Sequence, residues 1–276
     1  MLELISAPLF RGPFWGSLIL SVLLSLVGVI TFHAKKPLLG EVIAHCSYPG
    51  AIFGLMVSVV CVGVESPVLI LSIAFVVALL GGVLLKKITL VHTADSSMTL
   101  ILSGFFGLGV FLSSIIQQKF PLFYRLAQGY LFGQVSTMTD RHIVIYGLCL
   151  VVVAFIVFQF FHRIKLGLFD PLQSSFFGGV KIAFIVETLI CFCLVLGIRG
   201  VGVVLVSSFF VAPAVISLGF CKTFKASIFL ALTCAVVLNS LAFLLPLKAP
   251  MGPIIVLLLS CVACISLKLR SYAALS

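Results

Sequence analysis

Long apolar runs parted by short polar breaks fill nearly the whole chain. They lie at 14–31, 38–63, 67–85, 97–116, 143–161, 182–198, 201–220, 226–245 and 254–267. Each is close to the ~20 residues an α-helix needs to cross a hydrocarbon core of ~30 Å. The pattern predicts an all-α, polytopic membrane protein with about eight to nine transmembrane helices, forming a single transmembrane domain over 1–276. The runs at 182–198 and 201–220 are parted only by Arg199 and Gly200, so that stretch is either two spans or a broken re-entrant hairpin.

Two connections are longer than turns. In 117–142, Leu122, Leu126 and Tyr130 recur at helical spacing beside Phe123 and Phe132, which suits a short helix lying in the membrane interface. In 162–181, Asp170 precedes Pro171, a helix-start signal with Pro at the first helical position. That helix is expected to end near Gly178 and Gly179, with Gln173, Ser174 and Ser175 polar along it. It is a docking element by shape, or an ordinary interhelical loop.

Composition agrees with the pattern. Charged residues make up 9% of the chain and hydrophobic ones 62%, against about 25% charged in a soluble protein. No long polar segment remains for a soluble domain. The first residues lack a signal peptide's charged, apolar and small-residue regions in order, so no removable leader is expected. Phe, at 26 residues, suits lipid-facing surfaces.

The formal charge of +10 raises the question of nucleic acid, and the distribution answers it. Eleven of the 17 Lys and Arg fall in alternate loops: Lys35, Lys36, Lys86, Lys87, Arg163, Lys165, Lys181, Lys222, Lys225, Lys268 and Arg270. The positive-inside rule makes those loops cytoplasmic, the N-terminus external and the C-terminus internal. The connection 162–181 is then cytoplasmic and 117–142 external. No nucleic-acid partner is needed.

Nine Cys lie mostly inside apolar runs, where thiols act as small hydrophobes. The pairs Cys191/Cys193 and Cys261/Cys264 lack the neighbouring His or Cys of a metal site. No phosphate-binding G-x-x-x-x-G-K-[ST] loop, H-E-x-x-H or G-x-S-x-G occurs. The chain is not expected to be an enzyme, and ATP binding by that loop is excluded.

Three ionisable residues fall inside the apolar runs. Glu41 and His45 are four apart, so they share one helix face. Counting helical rise from Lys36 puts His45 about 13 Å deep, near the midplane. Pro49 follows and is expected to kink the helix and widen the space beside the pair. The pair is either a hydrogen bond sealing a helix contact or a site. Glu187 stands near Lys181, where snorkelling or pairing with a neighbouring helix explains it as well as transport does.

Five segments in register resemble one family. "LGEVIAHCSYPGAIFG", "GYLFGQVSTMTDRH", "GLFDPLQSSFFGG", "RGVGVVLVSSFFVAPAVIS" and "APMGPIIVLL" are similar, in order, to motifs of the permease subunits of bacterial ABC importers for zinc, manganese and iron. The resemblance implies a helical permease of the bacterial inner (plasma) membrane that pairs with a second permease, identical or paralogous. It implies two ATPase subunits on the cytoplasmic side and an external metal-binding protein.

The resemblance further implies that Glu41 and His45 line the path and meet the ion. Phe169, Asp170, Pro171, Gln173, Ser174 and Gly178 would couple to the ATPase. Pro49, Pro213 and Glu187 are further path or gate positions. No permanent cofactor is expected, only the transported zinc, manganese or iron. The family usually carries Asp where this chain has Glu41. A siderophore- or cobalamin-type permease and a proton-coupled secondary carrier are the alternatives.

Overall fold

A computed structural model describes residues 8–36, 38–169, 179–221, 223–245 and 251–275. Helices dominate, and no strand occurs among the described residues. In chain order they are α1 (Pro8–His33), α2 (Leu39–Val62), α3 (Pro67–Ile88), α4 (Ala94–Lys119), α5 (Pro121–Phe132), α6 (Asp140–Gln159), α7 (Phe161–Phe169), α8 (Gly179–Phe220), α9 (Phe224–Leu244) and α10 (Met251–Leu275). A 3₁₀ turn at Val135–Thr137 precedes α6. Eight helices are long and apolar enough to cross a membrane.

α8 explains the ambiguity at Arg199 and Gly200. It runs for 42 residues with non-helical φ/ψ at Gly202. A straight helix of that length would measure about 63 Å, roughly twice the hydrocarbon thickness. The break divides it into arms at 179–201 and 203–220, each of spanning length.

The connections differ from the expectation in detail. α5 forms where a short helix was predicted; Ala127 and Tyr130 face inward, and Leu122 is 90% exposed. In the connection 162–181 a helix, α7, comes before the segment where a helix was expected. Phe160, at φ −98° and ψ 10°, separates it from α6. Phe169 closes α7. Asp170, Pro171, Gln173, Ser174 and Gly178 lie outside the described residues.

The chain packs as two compact units. The first comprises 1–37, 135–190 and 208–276. Here α1 is central, against α6 and α9. Phe14 stacks edge-on against Phe243, with ring centroids 5.3 Å apart. Deeper in, the amide of Asn239 donates to the Ser17 hydroxyl at 3.2 Å. Ser25 donates to the Phe209 carbonyl at 3.1 Å. These bonds satisfy polar groups that are costly in an apolar interior.

The second unit comprises 38–134 and 191–207, with α2 central. Cys46, Gly50 and Gly54, spaced four apart, form the face that meets α3. There Gly81 sits against the Cys46 side chain, and Gly50 and Gly54 sit against Ala74 and Ile70. Missing side chains let the two backbones approach closely. An adjacent face of α2 meets α4, where Gly109 lies against the ring of Tyr48.

Candidate functional site

α2 opens at Leu39, after a turn in which Lys35 holds φ at +56°. Glu41 therefore sits in the first helical turn, where the unpaired N–H groups and the positive end of the helix dipole favour a carboxylate by about 0.3–1 kcal/mol. His45 is one turn further in. Along a span of Leu39–Cys61 that is about 9 Å from the start, in the first third.

Glu41 and His45 are both half-buried. The carboxylate is close enough to act electrostatically on the imidazole, yet no hydrogen bond joins them among the described residues. Nδ1 of His45 is buried without any hydrogen-bond partner, which leaves Nε2 as the ring nitrogen open to an ion. An aromatic edge fills the surroundings: the Phe106 ring stands at 89° to the imidazole, with centroids 5.3 Å apart. Phe106 also leans on Tyr48 at 6.4 Å. Tyr48 is 2% exposed and shares a hydrogen bond with Ser113.

Pro49 is buried, and α4 approaches its nitrogen through Gly109. Glu41, His45 and Pro49 lie together in the second unit, whereas Pro213 and Glu187 belong to the first. Pro213 is buried in the second arm of α8, and half-buried Glu187 is engaged with a neighbouring group. No set of three or more His, Cys, Asp or Glu able to hold a metal occurs among the described residues.

A second polar cluster was not anticipated. Arg199 Nη1 lies 3.4 Å from Glu65 Oε1. The Tyr130 hydroxyl donates to the same oxygen at 3.5 Å. Burial, and then the adjacent carboxylate, push the Tyr130 phenol above its ordinary value, with Arg199 opposing. The available signal was a lone Arg inside a long apolar stretch and a lone Glu between two others, opposite charges at span ends.

Eight long apolar helices with a few half-buried ionisable groups mark a multi-pass membrane protein. The chain belongs to the ABC 3 transport family, which it matches over residues 6–270.

Among curated proteins it is 29% identical to a "Probable metal transport system membrane protein" of Chlamydia trachomatis, covering 74% of this chain and 47% of that protein. The chain thus spans about half the length of that relative. It is 26% identical to the zinc transport system membrane protein TroC of Treponema pallidum, over 92% of this chain and 86% of TroC. It is 27% identical to the manganese transport system membrane protein MntC of Bacillus subtilis, over 72% of this chain and 46% of MntC. The fold matches PsaBC from Streptococcus pneumoniae in complex with Fab, with a TM-score of 0.80 at 19% identity, covering 96% of this chain and 93% of that one.

Proposed function

We propose that the chain is the membrane-spanning subunit of an ATP-driven importer of a divalent transition metal, with Glu41 and His45 lining the path. Family membership and the metal-transport relatives support the cargo class. One observation carries the site: two ionisable side chains on one face of α2, with no hydrogen bond between them and with His45 Nδ1 orphaned. The sealing hydrogen bond that would make the pair structural is missing.

The whole chain acts as one permease domain and pairs with a second permease. Two copies of the site supply two carboxylates and two imidazoles, which match a divalent cation in charge. Such an N/O donor set suits zinc, manganese or iron. A ligating imidazole usually donates its other N–H to an acceptor, which raises its basicity. His45 lacks that partner, so it is a weak ligand, as an ion in transit requires. Two ATPase subunits dock on the cytoplasmic side, where Phe169, Asp170, Pro171, Gln173, Ser174 and Gly178 transmit their motion. An external metal-binding protein delivers the ion near 117–142. Pro49 flanks the path on α2.

Metal uptake by Glu41→Gln in the assembled transporter tests this reading. The change keeps shape and removes one negative charge per permease. The ion then faces an uncompensated desolvation cost of about several kcal/mol. Uptake of zinc, manganese and iron should collapse while expression and ATPase binding persist. Uptake near wild type would return the pair to a structural role.

A further inference from the structure

Three segments distant in sequence converge at one end of the second unit: the turn after α2, the last turn of α5, and the break in α8. Glu65 is the hub. Its backbone is fixed from below, because the Ser58 hydroxyl donates to the Val64 carbonyl and accepts from the Ser66 N–H, each at 2.7 Å. The Glu65 and Arg199 side chains are 26% and 24% exposed, so neither charge is fully hydrated and each needs the other. Arg199 Nη1 is within ion-pair distance but lacks hydrogen-bond geometry. Attraction in this cluster is therefore mostly Coulombic, and it tolerates small changes of angle. Tyr130, kept protonated by its surroundings, fastens α5 to the same carboxylate.

Beside this cluster two segments of the chain touch at glycine. Gly133, directly after α5, lies against the backbone of Val201 and Gly202. Gly202 is the non-helical point in α8, the natural hinge between its arms. α5 has a second face, with Leu122, Arg125 and Gln128 exposed. A load on that face has a built route to the hinge.

We propose that Glu65, Arg199 and Tyr130 form a clasp that carries a push on α5, from the external metal-binding protein docked there, to the hinge at Gly202 in α8. The clasp rests on the importer reading for the identity of the docking partner. It goes beyond that reading in assigning coupling to residues remote from the Glu41/His45 pair.

The test uses the assembled transporter in lipid vesicles, measuring ATP hydrolysis with and without the metal-loaded external binding protein. Glu65→Gln and Arg199→Gln should each leave basal hydrolysis essentially unchanged and cut the stimulation about 5-fold or more. The double variant should be no worse than either single, because both remove one link. Stimulation that survives in a single variant, losses that multiply in the double, or basal hydrolysis falling in step would each overturn the clasp. A wild-type complex indifferent to the binding protein would instead refute the importer reading beneath it.

Discussion

Gly133 and Gly202 meet backbone to backbone, and each holds a conformation that is essentially glycine's alone. Gly133 has φ 79° and ψ 160°, and Gly202 has φ 75° and ψ 165°. The residues "YLFG" and "RGVG", which looked like separate motifs in sequence, are two sides of one contact.

Gly202→Ala should therefore destabilise the protein. The backbone alone costs about 1–3 kcal/mol in that region of φ/ψ, and an added Cβ would strike Gly133 as well. Thermal unfolding in detergent should show a clear drop in midpoint. Gly82, with open space around it and ordinary helical backbone, is the control: Gly82→Ala should be neutral or slightly stabilising.

Tyr130 predicts a pH dependence. Burial and the Glu65 carboxylate raise its phenol above the ordinary value of about 10. The folded chain thus holds that proton more tightly than the unfolded chain. Its contribution is complete below about pH 10 and is lost as pH climbs toward the folded value. Unfolding midpoints of wild type should fall more steeply above pH 10 than those of Tyr130→Phe. Parallel curves would rule out the effect.

Orientation predicts a labelling pattern. Thr137 and Lys165 are both exposed, on opposite sides by the distribution of Lys and Arg. In a background without the native Cys, Thr137→Cys should react with an impermeant thiol reagent from outside. Lys165→Cys should react only after the cytoplasmic side is opened. The reverse pattern would invert every assignment of inner and outer loops.

The cytoplasmic segment after α7 predicts uncoupling. Asp170 stands where an N-cap is expected, and loss of a cap costs about 0.5–2 kcal/mol, enough to loosen a short helix without unfolding the chain. Asp170→Ala should insert normally, hydrolyse ATP with its partner subunits, and move less metal per ATP. An unchanged ratio of metal moved to ATP consumed would remove the coupling role.

Much of this protein was legible along the chain. The spans follow from apolar run length, because lipid forces each backbone polar group to be satisfied within its own segment and leaves helices as the simplest solution. Glu41 and His45 stood out for the same reason, as costly groups at a spacing that places them on one face. The short helix α5 was readable from the same spacing, although what its buried Tyr130 meets was not, since spacing shows a stripe without showing what packs on it.

Only the tertiary structure decided which residues meet. Period and composition describe one helix at a time. They are silent on Glu65 reaching Arg199 and Tyr130, on Phe106 turning its ring against His45, and on Gly133 touching Gly202. The apolar residues are nearly interchangeable toward lipid, so hydrophobicity sets how many helices cross and how long they are. Their arrangement is set instead by close backbone approach at small residues and by a few polar contacts, and these are properties of pairs of helices.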